Sequence, residues 1–274
     1  MRIIELDNSK VEFSNNDIKT EIKIPSFLTE DLCYETGTHI GDGHISCYDR
    51  IDGTLYLVEY SGDFRDEYDF HQFVLIPILE NLYNKKLLPY KSTKNTVKLV
   101  IKSKAITTFK LNSLGLTNGR KDGKIKIPKI IMDSNIEMKK SCLSGIFDID
   151  FSLVFRHCKY PKIPVEMTSK NKILKNHILE ILDELGISYT SCRTKSFDER
   201  LKIGYSEGFN VDINGRENLE KWVKCAGFRS PKHLVKLELW RAYGFCKPFL
   251  SYNKRKEMLN ASLAQFGRAL IKPI

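Results

Sequence analysis

Two nine-residue stretches of this chain carry the same punctuation. Glu35-Thr36-Gly37-Thr38-His39-Ile40-Gly41-Asp42-Gly43 and Leu143-Ser144-Gly145-Ile146-Phe147-Asp148-Ile149-Asp150-Phe151 both place glycine third and aspartate eighth. Each follows a helix-compatible run and precedes residues that read as a strand. Each is therefore a helix that ends on a carboxylate and hands over to a sheet. A carboxylate there faces the negative end of the helix macrodipole, at a cost of about 0.3–1 kcal/mol. Doing so twice, at matching positions, asks for compensation, which a divalent cation held between the two carboxylates supplies. Gly37 and Gly41 are four apart and share a helix face, where another backbone can approach. Gly145 is the matching residue of the second copy. Two such helices packed side by side bring Asp42 and Asp150 together at one end.

These residues carry a resemblance. The run Leu143 to Asp150 is similar to the signature of the LAGLIDADG homing endonucleases, in their single-chain, two-motif, archaeal intron-encoded form. The first copy is looser but keeps the glycine and the closing Gly41-Asp42-Gly43. Ile149 stands where a small residue is usual, and Phe151 where glycine is usual. The resemblance implies that Asp42 and Asp150 are catalytic metal ligands, joined by the backbone carbonyls of Gly41 and Ile149. Two converging carboxylates suit two-metal phosphodiester hydrolysis. Mg²⁺ is the implied ion, with Mn²⁺ able to substitute, because Mg²⁺ binds through few carboxylates plus waters and substrate phosphates. Two lysines are implied near the scissile phosphates. Lys126 stands in Lys-Ile-Pro, 84 residues after Asp42, and Lys232 stands in Ser-Pro-Lys-His-Leu, 82 residues after Asp150.

Composition narrows the partners. The chain has 274 residues and a net charge of +10, for which nucleic acid is the commonest specific explanation. Seven cysteines, an odd number without a Cys-x-x-Cys, point to free thiols in a reducing, cytoplasmic compartment and away from a zinc site. The N-terminus lacks the apolar core of a signal peptide, and no apolar run is long enough to span a membrane. There is no phosphate-binding glycine loop, nucleophile elbow or dinucleotide fingerprint.

Taken in order, residues 1–28 form a polar leader in which Val11 to Ile24 reads as a strand. The first motif helix runs from about Thr29 to Gly41. Strands over His44–Arg50 and Thr54–Tyr60 join at Asp52-Gly53, a hairpin signal. A helix over Asp66–Tyr83 is kinked or split at Pro77. A weak strand near Leu87–Lys91 precedes a clear one over Lys94–Lys102, where Val97, Leu99 and Ile101 alternate with lysines. Ser103 caps a helix that Gly115 ends. The second half repeats this order, with strands over Phe151–His157, Lys162–Thr168, Ile187–Arg193 and Glu199–Ser206 and helices over Ser169–Leu185 and Asn214–Cys225. A duplication on this scale predicts pseudo-twofold symmetry.

The expected fold is mixed α/β (α+β): two αββαββα halves, antiparallel DNA-binding sheets, and the motif helices packed at the interface. The expected divisions are a leader (1–28), two halves (29–133 and 134–239) and a basic appendage (240–274) that packs on the second half. The wet sheet faces carry the candidate DNA contacts Tyr48, Arg50, Tyr56, Lys98, Lys102, Arg156, Arg200 and Lys202, with Glu166 beside them. The implied function is site-specific cleavage of double-stranded DNA at a long asymmetric target by a monomer. Host intron RNA is a second implied partner. The rival readings are an intron maturase and a non-cleaving DNA- or RNA-binding protein on the same scaffold.

Overall fold

The structure is a computed structural model that describes residues 3–269, apart from 93–94, 122, 156–161, 169–170, 198–203, 245 and 248–249. Two helices form its spine. α2 (Glu30–Asp42) is capped by Thr29, whose hydroxyl accepts from the Leu32 amide, and α7 (Ile136–Asp150) is capped by Asn135 in the same way through Met138. They pack face to face along the glycines. A Cβ on Gly37 would stand 2.0 Å from the Cys142 carbonyl oxygen, and one on Gly145 would stand 2.1 Å from that of Tyr34. The contact is reciprocal, as a twofold axis between the helices requires. Ile149 is accommodated by the aligned glycine opposite: a Cβ on Gly41 would lie 2.7 Å from Ile149 Cγ2.

In the first half, β1 (Gly43–Arg50), β2 (Gly53–Asp63), β3 (Tyr90–Ser92) and β4 (Thr96–Lys102) form an antiparallel sheet in the order β1-β2-β4-β3. Ile45, Val58, Tyr60, Val97, Leu99 and Ile101 are buried on one face. The helix behind it runs as α3 (Phe64–Phe70), a π turn (His71–Leu75) and α4 (Ile76–Tyr83). The π turn lies just ahead of Pro77, whose missing N–H cannot join an α ladder. α5 (Lys104–Thr108) begins at the Ser103 cap and also continues through a π turn, Phe109–Ser113.

The leader holds no strand between Val11 and Ile24. It forms the short helix α1 (Asn15–Lys19), because Ser14 and Asp17 make a reciprocal capping box. Asp17 is buried and also accepts from the Lys104 and Ala105 amides at 3.1 Å each, so one carboxylate caps two helices. The leader is thereby fastened to the first half rather than set apart from it.

In the second half, β5 (Lys162–Thr168), β6 (Thr190–Phe197) and β7 (Tyr205–Asn214) form an antiparallel sheet in the order β5-β7-β6. α6 (Lys129–Met132) precedes α7, while α8 (Lys172–Glu184) and α9 (Arg216–Cys225) follow it in the chain. The strand expected over Phe151–His157 does not form in its described part, which makes only an isolated bridge at Val154. Leu153 and Phe155 are buried instead, Phe155 stacking on Trp240 with ring centroids 5.3 Å apart. The strand expected over Glu199–Ser206 lies later, as β7, after a turn at Gly204 with φ of +68°.

The C-terminal region departs most from expectation. α10 (Pro231–Tyr243) runs through the boundary drawn at residue 239, and α11 (Tyr252–Ala269) packs against it. Their polar contacts go to α3 of the first half, not to the second half alone. Tyr252 donates its amide to Asp66 (3.2 Å) and its hydroxyl to Asp69 (2.8 Å), and Lys256 pairs with Asp69 at 2.9 Å. The appendage also touches the second half, through Trp240 on Phe155 and Arg241 on Glu220, so it bridges the two halves.

Candidate active site

The glycine crossing fixes what happens at the shared end of α2 and α7. A Cβ on Gly41 would be 3.3 Å from Asp150 Cγ, so the Asp150 carboxyl lies against the residue that precedes Asp42. Asp42 is half-buried, and Asp150 keeps part of its surface exposed. Burial, then the charges of Asp150 and Glu67, push the Asp42 carboxyl up to about 7, against the pull of Lys232 and Lys121. Burial also raises Asp150, while Lys121 and Lys232 lower it. Two acids are thus held close enough to resist ionising together.

Each helix end carries an ammonium group. Lys121 Nζ donates to the carbonyls of His39 (3.0 Å), Ile40 (2.9 Å) and Gly41 (2.5 Å). Lys232 Nζ lies 3.5 Å from the Ile149 carbonyl and forms an ion pair with Glu67. The negative ends of both helix dipoles therefore face a cation. Burial lowers Lys121 to about 8, and the nearby Asp150 and Asp42 charges oppose that shift.

Behind Asp150, Asp148 is fully buried. It accepts from Tyr34 Oη at 2.6 Å and from the Arg229 amide at 2.8 Å, and burial raises it to about 6. Arg229 caps the Tyr34 ring at 4.3 Å and pairs with Asp31 at 2.8 Å. This network ties the loop before α10 to both motif helices and so places Lys232.

The sheets flank this end. On the outer face of the first, register aligns Tyr48 with Leu55 and Lys102 with Leu57, and sets Lys98 beside Ser61. Arg50 donates to Tyr48 Oη at 2.8 Å, and Lys98 pairs with Glu59 at 2.8 Å. On the second sheet, Asn210, Asp212 and Asn214 alternate with the buried Val211 and Ile213.

No family model matches the sequence, and comparison with curated proteins returns no match. Solved structures do match. A structure of variants of the homing endonuclease I-DmoI aligns with a TM-score of 0.51 at 16% identity, covering 72% of this chain and 88% of that one. I-DmoI in complex with DNA and Mn aligns with a TM-score of 0.50 at 17% identity, covering 72% and 96%. The LAGLIDADG meganuclease I-AabMI, bound to uncleaved DNA, aligns at 0.44 and 9% identity, over 84% and 96%. The chain has the LAGLIDADG homing endonuclease fold.

Within that fold the expected site residues separate into four groups. Asp42, Asp150, the Gly41 and Ile149 carbonyls and Lys232 converge. Lys126 is exposed and, among the described residues, makes no hydrogen bond or ion pair to either helix end, although it lines a small cavity with His39 and Ile40 of α2. Lys121, in the same loop, reaches α2 instead. Tyr56 also departs, since it shares the inward parity of Val58 and Tyr60 and has Lys104 Nζ 5.5 Å above its ring. The others named for the first sheet, Tyr48, Arg50, Lys98 and Lys102, lie on its outer face. Arg156, Arg200 and Lys202 lie outside the described residues, and Glu166 is placed only by register, beside Asn210.

Lys121, Glu67 and Asp148 were not singled out from the sequence. For Asp148 a signal existed, a second acid inside the motif where the first copy has Ile40. For Glu67 there was none, because its partner is 165 positions away.

The donor set suits a hard divalent ion. Among the described residues no three His, Cys, Asp or Glu form a ready-made metal cage. Two carboxylates are what Mg²⁺ uses when substrate phosphates and waters complete its shell. Burial and the neighbouring carboxylates raise Asp42, and the ammonium groups on both helix ends offset part of that negative charge. Among the described residues no helix is long and apolar enough to cross a membrane.

Proposed function

We propose that this protein is a site-specific, divalent-metal-dependent DNA endonuclease that acts inside the cell as a monomer on a long asymmetric duplex. One observation carries the reading: two motif aspartates from one chain meet at the end of a reciprocal glycine crossing. A single chain then supplies both acids that cleaving two strands needs, and the dissimilar sheet faces favour an asymmetric target.

Asp42 and Asp150, with the Gly41 and Ile149 carbonyls, would hold the metal, whose chemistry there would be activation of water and stabilisation of charge on the leaving oxygen. Lys121 and Lys232 sit where they can neutralise charge that builds on the phosphate in the transition state. The outer faces of the two sheets enter the major groove and orient the duplex, with Tyr48, Arg50, Lys98 and Lys102 on one side. Residues 29–133 and 134–230 act as the two DNA-reading halves, and the helices that follow bridge them.

The test compares wild type, Asp42→Asn and Asp150→Asn on a target drawn from a randomised duplex library. Each substitution should abolish double-strand cleavage. Metal-free DNA binding should be kept or tightened, because a charge that repels phosphate has gone. An Asp42→Asn protein that cuts both strands at the wild-type rate removes this mechanism. Wild type that binds but cuts nothing with Mg²⁺ or Mn²⁺ supports a non-cleaving binder instead.

A further inference from the structure

The interface of α10 with α11 gathers more positive charge than it neutralises. Lys232 and Lys236 are one turn apart on α10 and share a face. Arg255, in the first turns of α11, is only 8% exposed, and its Nε has no hydrogen-bond partner. Neither Arg255 nor Lys236 makes a side-chain hydrogen bond or ion pair among the described residues. The acids nearby are engaged elsewhere: Glu67 by Lys232, Asp66 by the Tyr252 amide, and Asp69 by Tyr252 and Lys256.

A guanidinium nitrogen buried without a partner is costly, because desolvation of the cation is not repaid. A second ammonium beside it makes the arrangement worse. Burial, then the charges of Arg255 and Lys232, push Lys236 down to about 8, with Cys246 and Asp66 pulling weakly the other way. Such a cluster is stabilised when an anion joins it. The free protein is then under strain that the bound state relieves.

We propose that Lys232, Lys236 and Arg255 form an anion-binding site that takes a backbone phosphate of the bound duplex. It rests on the DNA-binding part of the function proposed above. The location selects the ligand. Lys232 also faces the Ile149 carbonyl, so the cluster begins at the end of α7 and leads away from it along α10. A duplex lying over the two aspartates passes this point. Lys232 and Lys236 are partly open to solvent and give the approach, while Arg255 forms the floor. A phosphate accepts from all three at once, and guanidinium is the side chain best shaped for it. The C-terminal helices thus become a third DNA-binding element beside the two sheets, one that reads charge and not sequence.

The test uses the full chain without divalent metal, so it does not depend on cleavage. Arg255→Gln and Lys236→Gln should each weaken duplex binding about tenfold and reduce the slope of log K against log salt by about 0.9. The same variants should melt higher than wild type when free, because an unpaired buried charge has been removed. Inorganic phosphate should raise the wild-type melting temperature above that in chloride of equal ionic strength, and should do so less for Arg255→Gln. Arg255→Lys should recover part of the binding. Unchanged affinity and salt slope with a lower melting temperature would make these residues structural and overturn the site. Phosphate stabilisation with unchanged duplex binding would overturn DNA as its source and leave a free anion. Failure of the endonuclease reading looks different: normal binding and normal salt slopes with no cut strand.

Discussion

The two halves share a backbone plan around the motif helices but fill it with opposite chemistry. In the first half, Glu35 on α2 is completely buried and pairs with Lys110 at 2.6 and 2.8 Å, with Tyr60 and Tyr83 donating to the same carboxylate. The aligned residue in α7 is Leu143. One turn on, His39 packs edge-on to Tyr60 at 5.5 Å and fills the space over Gly43, where a Cβ would be 2.2 Å from its Nδ1. The aligned pair in the second half is Phe147 and Phe151, whose rings are 3.9 Å apart, with Trp222 stacked on Phe147 at 4.2 Å. A polar, ionic interior and an aromatic one therefore support equivalent motif helices in the two halves. What the duplicated fold holds constant is the glycine crossing and the terminal acid. The packing behind them is free to diverge as long as volume and hydrogen bonds are satisfied.

This comparison can be broken in graded ways. Lys110→Met leaves Glu35 buried without its cation and should cost about 3–5 kcal/mol in urea denaturation. A loss below ~1 kcal/mol would mean the first half does not depend on its ion pair. Gly37→Ala and Gly145→Ala should each cost about 3 kcal/mol, since the new methyl meets a backbone oxygen that can move only if the helices part. The two losses should be alike. Tolerance of one alone would show that the crossing is not shared equally.

Asp148 gives a pH signature to the second half, where the first has Ile40. Its folded-state value, near 6, lies above the ordinary 3.8, so folding takes up a proton between those limits. Stability from this group is greatest at or below about pH 4 and falls as pH rises through 6, by at most ~3 kcal/mol. Asp148→Asn should lack that fall, and the difference between the two pH–stability curves measures it. A parallel pair of curves would show that Asp148 ionises normally. The smallest effect belongs to the double change Glu35→Leu with Lys110→Met, which gives the first half the apolar filling of the second. It should lose less than Lys110→Met alone, about 1–3 kcal/mol, because no charge is orphaned and only the Tyr60 and Tyr83 hydroxyls lose their acceptor. Thermal denaturation of the single and double variants side by side checks it.

Much of this molecule is determined by local sequence alone. The alternation of Val97, Leu99 and Ile101 with Lys98 and Lys102 makes β4 and its two faces. Thr29 and Asn135 start the motif helices, and Gly37 and Gly145 make their close packing possible. Matching glycines and acids in two copies were enough to bring Asp42 and Asp150 to one place, because helix geometry carries that spacing without help from the rest of the chain. Where a rule of short range competed with pattern, it could still be read: the capping box of Ser14 and Asp17 overrides the strand-like run around it.

Only the tertiary structure decided which lysine serves which helix. Lys121 and Lys126 lie in one loop, and the sequence favoured Lys126 for its Lys-Ile-Pro setting, yet the fold of that loop brings Lys121 to the α2 carbonyls. Glu67 became part of the site because α10 returns across the first half, and no local pattern encodes a contact spanning 165 positions. The same docking set the C-terminal helices on α3 and collected Lys232, Lys236 and Arg255. Periodicity and capping act over a few residues and are written in order along the chain. Charge pairing between distant elements depends on where the whole chain folds, and that information is spread over every element that packs between them.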